Sequence, residues 1–308
     1  MATTTSALDT ERMAAAEPSQ LIVTWRRFRR HKLALVGLVT LTVLVVICFL
    51  AEIPIINVRL LAPYDPAVQD LTKEGIFATS SAKHWLGTDD LGRDILSRLM
   101  YAGRISLIIG LVCTLVVAIV GSIVGAVSGY FGGVVDTILM RIVDLLLAVP
   151  GFPLLLVLSQ LLGPLLGSIN TIIIVLTVFG WLGISRLVRG QILSLRALDF
   201  VEATRALGAS NSRIIFRHML PNSLAPIIVN GTLDVGGFIL AESTLSFLGY
   251  GVKSPIPTWG NMLSDVNTYF LNHPLLAFYP GIAILLTVVS INFMGDALRD
   301  ALDPRLKQ

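Results

Sequence analysis

The strongest constraint on this chain is LALVGLVTLTVLVVICFLA (33–51), nineteen consecutive residues without a charge, together with five further apolar stretches of comparable length. In lipid a lone segment finds no water for its backbone, so it must close its own hydrogen bonds as a helix. About 20 residues of helix cross a hydrocarbon core of roughly 30 Å. Spans are therefore expected at 33–53, 105–128, 138–162, 169–189, 224–249 and 275–296. The runs are continuously apolar and lack the two-residue alternation of barrel strands. Composition agrees, since 54% of the 308 residues are hydrophobic and only 14% charged, with mean hydropathy +0.79. A soluble domain carries about 25% charged residues. The reading is an all-α, polytopic membrane protein with six transmembrane helices.

Charge gives the orientation. Arg26, Arg27, Arg29, Arg30 and Lys32 precede the first apolar stretch, which is too long for the apolar part of a cleaved signal peptide and reads as an uncleaved span. The positive-inside rule holds that end in the cytoplasm. Six crossings then put the stretch after the fourth span inside, and Arg186, Arg189, Arg196, Arg205, Arg213 and Arg217 fall there. The short outer loops, 163–168 and 250–274, have Lys253 as their one basic residue, whereas 54–104 balances six basic against six acidic side chains. Both termini are expected in the cytoplasm. The basic residues lie where orientation needs them, so the net charge of +3 gives no support to nucleic-acid binding.

The expected organisation is a cytoplasmic tail (1–32), a first transmembrane helix (33–53) and an extracytoplasmic segment (54–104). A core membrane domain (105–298) and a cytoplasmic tail (299–308) follow. Within the outer segment, Ile95, Leu96, Leu99 and Met100 form a helical stripe opposite Arg93, Asp94 and Arg98. Two arrangements are open, an interfacial amphipathic helix from Asp94 or a solvated loop over the mouth. Gly121, Gly125 and Gly129, at four-residue spacing, allow close helix packing. SGYFGG (128–133) turns the chain. Asp136, Arg141 and Asp144 open the third span, where Arg141 and Asp144 are spaced to pair and Pro150 and Pro153 interrupt the helix. Cys48 and Cys113 lie inside spans without CxxC or histidine neighbours and read as small packing residues rather than metal ligands.

Between the fourth and fifth spans lies DFVEATRALGASNSRIIFRHMLPN (199–222), an amphipathic stretch broken by glycine. Asp199 and Glu202 make an N-terminal capping pattern, and Gly208 suits the left-handed end of a two-turn helix. Phe200, Ala203 and Leu207 share one face; Glu202 and Arg205 are spaced to pair on another. Ser210 or Ser212 can start a second helix through Ile214, Ile215 and Phe216, closed by Pro221. Helices this short are not stable alone in water. The stretch packs either against its own bundle or, as a peg, into a groove on a cytoplasmic partner.

Glu202, Ala203 and Thr204, three residues, Gly208, nine residues, then His218, Met219, Leu220 and Pro221 resemble the EAA loop of ABC importer membrane subunits, E-A-A-x3-G-x9-I-x-L-P. Thr204 replaces the second alanine and His218 the isoleucine, with the spacing intact. HWLGTDDLGRDILSRLMYAGRISL (84–107), SGYFGGVVDTILMRIVD (128–144), AESTLSFLGYGVKSPIPTWGNML (241–263) and GDALRDALDPRLK (295–307) extend the resemblance from about residue 20 onward. Together they resemble the C-type permease subunit of dipeptide, oligopeptide and nickel importers. The resemblance implies a type I ABC importer transmembrane domain in the bacterial cytoplasmic membrane. It also implies a second related permease subunit, two ATPase subunits that bind ATP and magnesium, and an extracytoplasmic solute-binding protein as partners. Asp199, Glu202, Ala203, Thr204, Arg205, Gly208, Leu220 and Pro221 would form the ATPase-coupling loop.

No catalytic or metal site is expected in this chain. None of its five lysines follows a glycine, so it has no P-loop. The histidines at 31, 84, 218 and 273 are scattered. Asp234 and Glu242, eight residues apart in the fifth span, are candidates for the translocation path, because an ionisable group in a span is costly unless it faces water or a partner; Glu242 has a second reading near the outer rim beside Ser243 and Thr244. Asp296, Arg299, Asp300, Asp303 and Arg305 read as a solvated cytoplasmic tail, with contact to the ATPase as the second reading. The rival function, a self-sufficient secondary transporter or channel, lacks a visible relay of acidic or histidine residues or an inverted pair of broken helices.

Overall fold

The computed structural model describes residues 20–53, 58–59 and 61–302. The first nineteen residues, Asp303 and Arg305 lie outside them. Eleven of the described α-helices matter below: α1 (Gln20–Phe28), α2 (Lys32–Leu50), α3 (Ile95–Phe131), α4 (Gly133–Ala148), α5 (Gly151–Leu166), α6 (Ser168–Arg196), α7 (Asp199–Ala206), α8 (Asn211–Arg213), α10 (Leu224–Phe247), α11 (Trp259–Val266) and α12 (Pro274–Leu302). A π-helical turn, Ile214–Met219, and the one-turn α9 (Leu220–Asn222) join α8 to α10. The strand content among the described residues is a two-residue antiparallel ladder in which Glu52 opposes Arg59.

Five helices, α2, α3, α6, α10 and α12, are each long and apolar enough to cross a membrane. The third expected span, 138–162, is not one helix. It is the pair α4 and α5, bent by 87°. Val149 is extended at the break and Pro150 caps α5. Proline disfavours the α conformation in the residue before it, which is why α4 stops there. Pro153 then sits in the first turn of α5, where its missing N–H has no intrahelical partner to lose.

The helix that contains the second expected span starts well before residue 105. Helix α3 begins at Ile95 and runs unbroken for 37 residues, about 55 Å at 1.5 Å per residue. Ile95 to Tyr101 are thus the first turns of α3, neither a separate interfacial helix nor a solvated loop. Asp94 is the cap, accepting from the Ser97 N–H at 2.8 Å while the His84 ring lies 2.9 Å from its other oxygen.

The most extensive helix contact is α3 against α6. A Cβ on Gly125 would lie 2.3 Å from the Ser185 carbonyl oxygen, and on Gly129 or Gly121 2.9 Å from the carbonyls of Arg189 or Trp181. Backbone meets backbone along this stripe, which is the packing that small residues permit in lipid. The cysteines belong to the interior as expected: Cys48 packs against Gly103, and Cys113 is fully buried. At the end of the bundle where α3 starts, buried charges join the irregular segment 61–94 to α11. Arg93 Nε donates to Asp89 at 2.6 Å, and Arg98 Nη2 donates to Asp265 at 2.9 Å. Trp259, 1% exposed, donates its indole N–H to the Leu99 carbonyl at 3.1 Å.

Gly125→Val tests the stripe against Gly190→Ala, where an added Cβ meets nothing within 4 Å. Overpacking costs about 1–3 kcal/mol or more where backbone must move. Thermal unfolding in detergent should fall by several degrees for Gly125→Val and hold for Gly190→Ala.

Candidate functional site

The chain leaves α6 at Arg196 and turns into the hairpin at Leu198, which takes the N-cap position of α7 in an extended conformation. Asp199 is therefore the first helical residue and makes no side-chain cap bond, contrary to the capping pattern read from sequence. Its carboxylate and that of Glu202 both lie in the first turn, where the helix dipole favours negative charge. The other end follows expectation. Gly208 has φ +79°, its N–H reaches the Arg205 carbonyl, and the Ala209 N–H reaches that of Thr204, which is the Schellman pattern. A Cβ there would meet nothing within 4 Å. The glycine serves the left-handed backbone and not a crowded turn.

The second arm is wound differently from expectation. Ser210 takes the N-cap position as expected but makes no side-chain cap bond, its hydroxyl lying 3.4 Å from that of Ser212, and Pro221 does not end the helix. The backbone widens to a π-turn over Ile214–Met219, with the Leu220 N–H bonded to Ile215, and Pro221 follows inside the next α-turn. Proline lacks an N–H and clashes with the carbonyl four residues back, and a π-turn is one way a helix accommodates such a disruption. The helical run is interrupted only at Ser223, whose buried hydroxyl donates to the Met219 carbonyl.

The hairpin is anchored from inside. Val201, Ile214, Ile215 and Met219 are all 3% exposed or less and share a core cluster with Tyr130 of α3 and Val188 and Ile192 of α6. Tyr130 donates its hydroxyl to Asn211 Oδ1 at 2.7 Å, and the Arg205 guanidinium lies 5.8 Å from the Tyr130 ring centre. Arg205 is thus directed to an aromatic face and not to Glu202, which has no ion pair among the described residues. The outward face is the expected Phe200, Ala203 and Leu207 stripe, all exposed, with Leu207 at 88%. Sequence reasoning missed Val201, the residue beside that stripe that holds α7 down; a β-branched apolar residue between Phe200 and Glu202 was the available signal.

Above the hairpin, ion pairs tie α4 to α6. Arg189 reaches Asp136 through both Nε and Nη2 at 2.5 and 2.6 Å, and Ser128 donates to the same carboxylate. Asp144 pairs with Arg186 of α6, not with Arg141. Thr204 donates its hydroxyl to the Phe200 carbonyl one turn back, so the departure from alanine is absorbed within the helix. Leu220 is half-buried beside the core cluster, whereas Ala203 and Pro221 are exposed.

The two candidates on α10 separate. Asp234 borders an open cavity of about 280 Å³ with Leu155, Leu176, Phe179 and Phe238. Glu242 is 0% exposed, accepting from Ser106 at 3.1 Å and Ser246 at 2.7 Å. No solute can reach it in this conformation. Thr244 bonds its own helix at Leu240 instead. Eight residues advance a helix about 80° past two full turns, enough to carry one carboxylate from cavity to interior. Among the described residues no group of three or more His, Cys, Asp or Glu is placed to hold a metal ion.

Comparison with known proteins bears on this arrangement. The chain is 42% identical over 285 residues to the dipeptide transport system permease protein DppC of Bacillus subtilis (strain 168), covering 92% of this chain and 85% of that one. It is 38% identical over 282 residues to the oligopeptide transport system permease protein OppC of the same organism, with 92% and 88% covered. With the glutathione transport system permease protein GsiD of Escherichia coli O157:H7 it shares 39% over 283 residues, covering 92% and 90%. A solved structure of the MetNI methionine ABC transporter, inward-facing, superposes with TM-score 0.52 over 67% of this chain and 96% of that one; at 19% identity this speaks for the fold, that of a type I ABC importer permease. The family model for the N-terminal transmembrane domain of oligopeptide transport permease C matches residues 19–78. That for the binding-protein-dependent transport system inner membrane component matches residues 118–308, so the chain belongs to that family, the multi-pass permease subunits of ABC importers.

Proposed function

We propose that this permease imports dipeptides, oligopeptides or a related small solute across the bacterial cytoplasmic membrane, with both termini and the hairpin on the cytoplasmic side. It pairs with a second homologous permease subunit and receives solute from an extracytoplasmic binding protein. Two ATPase subunits, which bind ATP and magnesium, drive it through the hairpin. The cargo is supported by the names of relatives near 40% identity. The orientation is supported by the arginines gathered at the hairpin end.

One observation carries the coupling role. The hairpin is rooted in the bundle by Val201, Ile214, Ile215 and Met219, yet its outer face leaves Phe200, Ala203 and Leu207 uncovered beside an unpaired Glu202. A short helix held this way moves with α3 and α6 as a rigid body, and an exposed apolar face rimmed by charge suits a groove on another protein. Closure of the ATPase pair on ATP would pull on Phe200 and Leu207 and tip the bundle between its two orientations. Glu202 meets an ATPase cation, and Asp234 borders the path. Leu220 and Pro221 keep the second arm in register.

Purification from mild detergent should yield two ATPase subunits and a second permease subunit in fixed stoichiometry, and this chain reconstituted alone should accumulate nothing. Accumulation by the lone chain would overturn the reading. Glu202→Arg should leave the membrane level of the protein unchanged and lower uptake per ATP hydrolysed at least tenfold in proteoliposomes. At Gly208 the backbone argument separates two variants. An L-residue in the left-handed region costs about 1–2 kcal/mol, but asparagine tolerates it better than most. Gly208→Asn should keep more coupled uptake than Gly208→Val.

A further inference from the structure

A second cavity, about 270 Å³, opens at the end of the bundle opposite the hairpin, where the close of α5 and the start of α6 meet the loop after α10. Ser159, Gln160, Ser168, Thr171, Tyr250 and Lys253 supply its polar lining. Two of these hydroxyls are anomalous. Ser159 and Thr171 are 5% and 2% exposed, and neither oxygen has a hydrogen-bond partner. Elsewhere in the bundle buried or half-buried threonines return their hydroxyls to the carbonyl four residues back, as Thr114 does to Gly110 and Thr287 to Ala283. A buried hydroxyl left unpaired is costly; both oxygens are screened from the cavity as they stand, and turning toward it would let a ligand there complete their bonds.

The lining decides what that is. It contains an ammonium group, four hydroxyls and an amide, and no Asp or Glu among the described residues. Lys253 is exposed, without an ion pair among the described residues. Such a set donates to an anion and repels a cation. Ligand sites that enclose a whole small molecule run from about 300 to 1,000 Å³; this cavity fits one end of a solute. We propose that it is an entry subsite for the carboxylate terminus of the transported peptide, with Lys253 as its charged contact and Ser159 and Thr171 as hydroxyl donors that turn toward the ligand. The assignment rests on the import of peptides proposed above and adds to it a group that the permease itself recognises. Lys253, the lone basic residue of the short outer loops, then has a task that membrane orientation does not give it.

The test uses the complete importer in proteoliposomes with its binding protein. Uptake of a labelled dipeptide is compared with that of its C-terminal amide, each at a concentration that saturates the binding protein. Wild type should import the free acid about tenfold faster, the scale of one hydrogen-bonded charge contact. Lys253→Gln should slow the acid to near the amide rate and leave the amide unchanged, and Lys253→Arg should restore the preference. Ser159→Ala with Thr171→Val should lower acid uptake severalfold and spare the amide. A peptide with an acidic side chain and an amidated terminus separates terminal from side-chain carboxylates; it should travel at the amide rate. Acid and amide carried equally by wild type, or slowed equally by Lys253→Gln, would overturn the subsite while peptide import stands. Import of neither peptide would overturn both readings.

Discussion

The contact on which the rest of the molecule depends is the approach of α3 to α6 along Gly121, Gly125 and Gly129. In lipid, apolar surface gains nothing by leaving tails for other tails, so helices associate through close van der Waals packing. Side chains at these positions would hold the helices apart. At contact distance, Tyr130 and the end of α6 come together and form the floor on which the hairpin rests. The same approach brings Arg189 within reach of Asp136, which directs α4 across the end of the bundle before the chain breaks at Pro150. The hairpin is thereby packed onto α3 and α6 through one shared core of Tyr130, Val188 and Ile192.

The two ends of the bundle are held by different physics. At the hairpin end, apolar anchors hold the hairpin and part-exposed ion pairs hold α4 to α6, while Glu202 stands exposed. At the opposite end, charges are inside: Arg93 and Arg98, each 3% exposed, bind Asp89 and Asp265 and thereby join the segment 61–94, α3 and α11. Buried ion pairs give little net stability against apolar replacements but are damaging to break singly.

Much of this was legible in residues 20–302 before any coordinates. The apolar runs, the glycine stripe, the left-handed Gly208 and the Phe200, Ala203 and Leu207 face all follow from local rules of length, period and backbone freedom. Spacing alone misled where two local signals competed. Asp199 has the side chain of a cap, but Leu198 holds the extended backbone the cap position needs. Pro221 is a helix breaker, but a widened turn absorbs it. Arg141 stands three residues from Asp144, yet Arg186, 42 positions on, is the partner the bundle supplies.

What the sequence by itself determined is that the chain must cross a membrane as helices, where its basic residues cluster, and that a short amphipathic hairpin interrupts the crossings. These depend on each segment's own backbone bonds and transfer energies, which act residue by residue. Only the tertiary structure decided that the third span folds at 87°, that Val201 and not its neighbours is buried, and that Glu242 is enclosed while Asp234 borders open space. It also decided that Ser159 and Thr171 share one cavity with Lys253. Burial and pairing between distant segments arise from how helices rotate about their axes when they pack, and a rotation of less than a quarter turn moves a side chain from lipid or water into the core.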